Sequence, residues 1–425
     1  MKNNHSNART VLIIGAGAAG LMAGIRAAEK DPNRQVLIAE RMERPGRKLL
    51  ITGKGRCNVT NCCTIEEFMP NVLTNPRFLY SSLNALSPYE VMGFFEECGV
   101  PLKVERGERV FPVSDHSSDI VNALVQKAKD SGCRFLYNCR IKELLLEQTD
   151  DGQTVRGALT EGREKILADA VIVATGGKSY PATGSTGDGY QLARQAGHRV
   201  TPLRPSLIPL VCKEKYCRDM MGLSLKNVTL RVVDTQSSKE VFSELGEMLF
   251  THFGVSGPLV LSASCHMQPD KNGSLERYRL YIDWKPALST QQLDARILRD
   301  FEQFINKDFI NSLGQLLPRK AIQPVAKLSG IPFETKINQI TREQRLGLVE
   351  LIKAMPITPV AFRPIEEAIV TAGGVDVAQI NPKTMESKLV SGLYFAGELL
   401  DVDGYTGGFN LQIAFSTGYA AGQAV

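Results

Sequence analysis

Residues 10–40, TVLIIGAGAAGLMAGIRAAEKDPNRQVLIAE, pass from a β-branched and aliphatic run through three glycines into an alanine-rich pattern, then into a second apolar run. A strand, a glycine turn and a helix are the context that a G-x-G-x-x-G motif requires, and Gly15, Gly17 and Gly20 sit at its three positions. Gly15 permits the tight turn, Gly17 lets the backbone approach a pyrophosphate, and Gly20 lets the helix lie close to the strand. The first helical turn, with Ala18 and Ala19, offers unpaired N–H groups and a positive dipole end to phosphate. Glu40 closes the second strand twenty residues past Gly20. A carboxylate there accepts hydrogen bonds from both ribose hydroxyls of an adenosine. The stretch predicts a Rossmann-like unit holding a dinucleotide, with Arg41 beside the ribose.

Working outward, 425 residues imply two or three domains. Hydrophobic residues make up 43% and charged residues 22%, as in an ordinary globular enzyme. The net charge of +5 is spread over 50 Lys and Arg and 45 Asp and Glu, which reads as a solvated mixed surface rather than a basic binding face, so no nucleic-acid partner and no membrane partner is expected. Nine cysteines without a C-x-x-C pair read as reduced, cytoplasmic usage rather than a disulfide framework or a metal site. No run of eighteen apolar residues occurs, so no transmembrane helix is expected.

After Glu40 the chain enters GRKLLITGKGRCNVTN, residues 46–61. Six residues separate Gly46 from the Gly53–Lys54 pair, where a phosphate-binding P-loop has four, which excludes a kinase or NTPase loop. The motifs PGRKLLITGKGRCNVTN (45–61), ATGGKSYPATGSTGDGYQLARQAGH (174–198), THFGVSGP (251–258) and GLYFAGELLDVDGYTGGFNLQIAFSTGYAAG (392–422) follow in order. Together they resemble the signatures of the YhiN/BaiN-like flavoproteins, a family that includes aminoacetone oxidases and bile-acid enone reductases. The resemblance runs from Val11 to Gly422. It implies an α/β fold in which a Rossmann-like FAD-binding domain of glutathione-reductase type, residues 1–195 and 358–425, is interrupted by a substrate domain at 196–357. It also implies non-covalent FAD.

In such a fold the 46–61 loop crosses the pyrophosphate and ends beside the flavin ring. Arg47, Lys48 and Arg56 would then offset two phosphate charges. Gly53 and Gly55 let the backbone pass close to the cofactor, and Asn58 would bond the ribityl chain or ring edge. Lys54 reads as a solvated side chain. Cys57 reads as packing against the cofactor, because Cys62 and Cys63 form no C-x-x-C pair with it. By the same resemblance, Ala174, Thr175 and Gly176 form the turn at the adenine and pyrophosphate, and the Ile141 amide meets adenine. Gly397 and Glu398 reach the ribityl hydroxyls, with Asp401 and Asp403 as competing carboxylates. Gly408, Asn410, Leu411 and Gln412 open the last helix toward the pyrimidine edge, where a helix dipole stabilises the charge of reduced flavin.

The insert divides into alternating strand patterns over 205–285, a β-barrel or sandwich, and amphipathic helices over 288–354. Prolines at 202, 205 and 209, and at 356, 359 and 364, mark the crossings. Pockets favour domain interfaces, so a small-molecule substrate is expected between flavin and insert. Tyr180, His252 and Tyr405 are the candidate proton donors, each with a structural reading beside it, and nothing in the sequence ranks them. Only one dinucleotide fingerprint is present, so NAD(P)H would visit transiently. The expected activity is NAD(P)H-driven reduction of a conjugated C=C bond in a hydrophobic molecule. Its rivals are an O2-using oxidase of an amine or aminoketone, a flavin sensor without turnover, and an RNA-modifying flavoprotein, which would need a basic stripe with exposed aromatics where the sequence has scattered charge and one tryptophan.

Overall fold

A computed structural model describes residues 9–150 and 152–425. The chain forms two compact units, one ending at Ser206 and resuming over Ile365–Val425, the other Leu207–Pro364.

The first unit is built on a parallel five-stranded sheet. Its strands are β1 (Thr10–Ile14), β2 (Gln35–Ala39), β3 (Arg134–Leu136), β4 (Ala170–Val173) and β5 (Leu393–Phe395), in the order β5-β4-β1-β2-β3. Every pairing is parallel, with Leu12 opposite both Leu37 and Val171. Parallel strands covered on both faces need continuous apolar runs, and Val11, Leu12, Ile13, Val171, Ile172 and Val173 are all buried. Helix α1 (Ala18–Lys30) packs on this sheet, and helix α2 (Phe409–Ala424) packs on α1. They approach so closely that a Cβ at Gly418 would stand 2.3 Å from the Ala19 carbonyl oxygen. The C-terminal helix is thereby wedged against the helix that opens at the glycine turn. An antiparallel meander, Ile141–Thr149 with Gly152–Thr160 and Lys165–Leu167, flanks this core. Arg204–Ser206 belongs to this unit because it pairs antiparallel with Val370–Ala372.

The second unit carries seven antiparallel strands, ordered Met355–Ile357, Tyr278–Asp283, Ser224–Asp234, Lys239–Phe250, Gly254–Ser256, Leu210–Cys212 and Pro359–Phe362. The first and last strands of this path are separated by Thr358 alone, so one bent stretch supplies both edges and the path returns on itself. Both Glu214 carboxylate oxygens lie 2.9 Å from the Thr358 N–H at the bend. Helices Thr290–Gln303 and Arg342–Lys353 each start from a capping box, Ser289 with Gln292 and Thr341 with Gln344. Their apolar stripes, including Leu293, Ile297, Leu348 and Val349, close a core with Leu230, Val232, Leu280 and Ile282.

All nine cysteines are free. Among the described residues, no helix is long and apolar enough to cross a membrane.

Candidate functional site

The site begins where β1 turns into α1. Gly15 has a left-handed backbone (φ 106°), and a Cβ there would lie 2.5 Å from the Ala174 carbonyl oxygen at the end of β4. Only glycine lets the two strand ends meet so closely. Gly17, the residue before α1, has open space where a side chain would point, and the first turn contains no acid. The N–H groups of Ala18, Ala19 and Gly20 have no acceptor within their own helix, which makes this a ready anion seat.

Glu40 is buried beside the turn. Its two carboxylate oxygens accept the N–H of Ala16 at 2.9 Å and of Met42 at 2.8 Å. Burial pushes its carboxyl above the ordinary range, against these hydrogen bonds and the nearby Arg41 and Arg47. Each oxygen keeps a second lone pair for a further donor. Arg41 donates to Thr186 and to Asp188 Oδ2, 3.0 Å away, and Arg140 bonds both oxygens of the same carboxylate at 2.9 and 3.0 Å. Burial opposes ionisation of Asp188, yet the bonds from Arg140 and Thr186 hold it below the usual carboxylate range. Asp188 thus lies in the first turn of its helix, Asp188–Gln195, and clamps two arginines there.

The 46–61 loop docks on the glycine turn through Gly46 N–H to Ala16 O, 2.9 Å. Arg47 is half-buried and has no hydrogen-bond or ion-pair partner among the described residues, whereas Lys54 is exposed. Lys48 Nζ bonds Glu398 Oε2 at 2.6 Å and Ser179 Oγ at 2.7 Å. Glu398 Oε1 accepts from Ser179 Oγ at 3.1 Å and from the Thr371 N–H at 2.9 Å. Ser179 and Thr371 are fully buried, and neither was singled out by a sequence signal. Thr175 Oγ1 is buried without a hydrogen-bond partner. Gly397 donates its N–H to Thr417 Oγ1 at 3.0 Å, Gly176 takes a left-handed turn, and Ile141 is buried at the start of its strand. Gly53 and Gly55 also have positive φ.

Several of the residues expected at the cofactor have hydrogen-bond partners within the chain. Arg56 donates to Glu105 and to Asp115 and lies 4.1 Å over the Phe111 ring, so two carboxylates already balance its charge. Asn410 closes the loop before it, accepting Gly404 N–H at 2.9 Å and donating to Gly404 O at 2.7 Å. Gln412 is fully buried among Thr60 Oγ1, Leu86 O and Ser416 Oγ. Asn58, with its amide turned to satisfy its neighbours, accepts the Gly408 N–H at 3.0 Å and so braces the start of α2. Leu411 is half-buried in that first turn, which carries no acid. Asp403 rather than Glu398 has a spare oxygen: Oδ2 bonds Ser206 Oγ at 2.7 Å, and buried Oδ1 has no partner.

Cys57 is fully buried, and burial pushes its thiol up to about 12. Four residues separate it from Cys62, a C-x4-C spacing, but both thiols are free and Cys57 has the raised pKa of an inert thiol. Tyr180 has a left-handed backbone and donates its N–H to Glu366 O at 3.0 Å, while burial raises its phenol. Tyr405 is half-buried and donates its N–H to Asn71 O at 2.9 Å. His252 lies in the other unit, exposed, with its ring edge-on to Phe253. It is not a buried structural histidine.

A family model described as an HI0933-like protein Rossmann domain matches residues 9–424. The chain belongs to the HI0933-like family. It is 32% identical to the 3-dehydro-bile acid delta(4,6)-reductase of Clostridium scindens, over 97% of this chain and 98% of that protein. It is 30% identical to the ribosomal RNA dihydrouridine synthase of Escherichia coli, over 97% of this chain and 96% of that protein. Among solved structures, the 3-ketosteroid delta1-dehydrogenase of Sterolibacterium denitrificans matches with a TM-score of 0.51 at 13% identity, over 97% of this chain and 99% of that one. That last likeness is one of fold. This HI0933-like chain is therefore an oxidoreductase with a Rossmann-type FAD-binding domain.

Proposed function

We propose that the protein reduces a carbon–carbon double bond conjugated to a carbonyl, with NAD(P)H as a transient electron donor. One observation carries this reading. A delta(4,6)-reductase of a 3-dehydro-bile acid and an enzyme that makes dihydrouridine act on different molecules. In chemical terms, both names describe saturation of a ring C=C bond conjugated to a C=O group.

Several features support FAD in the first unit. The acid-free start of α1 seats a pyrophosphate, and the unpartnered Arg47 guanidinium supplies a matching charge. The spare lone pairs of Glu40 suit two ribose hydroxyls. The start of α2, braced by Asn58, offers N–H groups to an anionic ring edge. When bound, FAD supplies the hydride chemistry. The chain must supply a proton to the other carbon of the double bond. Tyr180, half-buried with its phenol raised by burial, and Tyr405 are the donors to test. We assign the Leu207–Pro364 unit, a β-barrel with a helical half, as the substrate domain.

The test is anaerobic stopped-flow at 450 nm with NADH or NADPH, followed by addition of a steroid enone or of uridine-containing RNA. Fast bleaching, then recovery with either acceptor, supports the reading. No bleaching with either nucleotide overturns it and leaves an oxidase of an amine or aminoketone, detected by peroxide formation.

A further inference from the structure

We infer that an exposed basic face of the Leu207–Pro364 unit, built from Lys213, Lys215, Arg218, Arg319 and Lys320, is a docking surface for folded RNA, so that the reduced double bond is that of a uracil ring within RNA. The inference rests on the double-bond reading above and names its substrate class.

The charge of the chain is divided unequally. Residues 207–364 contain 21 Lys and Arg against 16 Asp and Glu, whereas the remainder contains 29 of each. The entire net charge of +5 therefore falls on one unit. A chain-wide count hides this, because the balanced unit dilutes it.

Within that unit the cations gather on neighbouring elements. The short helix Lys215–Asp219 is followed by an exposed turn, and Lys320 Nζ, from the first turn of the helix Arg319–Leu328, bonds the Met221 carbonyl oxygen in that turn at 2.8 Å. Arg218 Nε reaches the His252 carbonyl oxygen at 3.2 Å. Two hydrogen bonds thus join three segments into one face. All five cations are exposed, and none forms an ion pair with a carboxylate among the described residues. Of the two acids on the 213–221 segment, Glu214 is turned onto the Thr358 N–H, which leaves Asp219 as the exposed one. The exposed His252 ring lies at the edge of the face, a flat surface on which an unpaired base can stack.

Unpaired cations beside a flat ring suit a phosphate backbone better than a lipid surface, which would need an apolar anchor. Met221 is the one exposed large hydrophobic residue on the 213–221 segment. An acidic protein is the competing partner.

The holoprotein is titrated into fluorescently labelled, in vitro transcribed ribosomal RNA at several salt concentrations, with poly-glutamate and anionic phospholipid vesicles as rival polyanions. Five phosphate contacts predict an affinity that falls by about 100- to 500-fold between 50 and 200 mM salt. The variant Lys213→Glu/Lys215→Glu/Arg319→Glu leaves the two joining hydrogen bonds in place. It should lose at least ~30-fold in RNA affinity, with FAD content and thermal midpoint kept, and the matching glutamine variant should lose less. Reversal of the exposed Lys129, Arg163 and Lys165 of the other unit should leave RNA binding intact. Unchanged RNA binding by the 213/215/319 variant, or tighter binding of poly-glutamate or vesicles than of RNA, overturns the inference. If the holoprotein reduces a steroid enone but binds no RNA, the docking face is wrong and the double-bond reading stands. If RNA binds and neither uridine nor enone is reduced, the double-bond reading falls instead.

Discussion

Lys48 Nζ stands 2.6 Å from Glu398 Oε2, joining the short helix Arg47–Ile51 of the 46–61 loop to the turn that follows β5, 350 residues further on. Both side chains are mostly buried, and Glu398 is also held by Ser179 and Thr371. Removing the ammonium alone would leave a shielded carboxylate without its counter-charge. Lys48→Met should cost about 2–3 kcal/mol in urea denaturation of the apoprotein. Lys48→Met/Glu398→Leu should recover part of that loss. Additive losses in the double variant would show that the pair is not coupled.

Glu40 is expected to anchor the adenosine end of FAD. Glu40→Ala removes two acceptors for ribose and leaves the Ala16 and Met42 N–H groups unmet. FAD affinity should fall on the order of 100-fold, read from flavin fluorescence on dilution. Retention of FAD at wild-type affinity would place the ribose elsewhere.

His198 gives the fold a pH dependence. The ring is buried, its Nε2 lies 2.8 Å from Ser387 Oγ, its Nδ1 has no partner, and burial lowers its pKa to about 4. In the unfolded chain a histidine titrates near 6.5. Between these values the unfolded state binds a proton that the folded state refuses, so this contribution is complete above pH 6.5. It is lost at up to about 1.4 kcal/mol per pH unit as the pH falls toward 4. His198→Gln should flatten that part of the stability profile, measured by urea unfolding from pH 7 to 4.5.

Two glycine-to-alanine changes should act in opposite directions. Gly418→Ala places a Cβ against backbone, 2.3 Å from the Ala19 oxygen, and should cost about 2–4 kcal/mol by forcing α1 and α2 apart. Gly93 lies inside the helix Pro88–Glu97 with no atom within 4 Å of its Cβ position. Gly93→Ala should therefore stabilise by about 0.5–1 kcal/mol. Thermal unfolding of the two variants beside the parent measures both.

Cys57 should resist alkylation. With its thiol raised to about 12 and its side chain shielded, iodoacetamide at pH 8 should label it only after unfolding. Early modification of Cys57 in the folded protein, seen by peptide mass mapping, would contradict the packing role.

The sequence by itself determined the βαβ unit, its three glycines, the carboxylate at Glu40 and the small residues that open α1. These are local properties: turn geometry and strand length depend on residues that follow one another, so spacing alone reveals them. Tertiary structure decided which polar groups remain free. Arg47 and Arg56 look alike in the same loop, yet Glu105 and Asp115 claim only the second. The resemblance places Asn410 and Gln412 at a ligand, yet one closes its own loop and the other is buried against Thr60 and Leu86. The Lys48–Glu398–Ser179–Thr371 cluster draws on four distant segments, and the charge on the Leu207–Pro364 unit emerges only once its borders are drawn. A hydrogen bond depends on distance in space, and a linear sequence carries no distance between residues that the fold alone brings together.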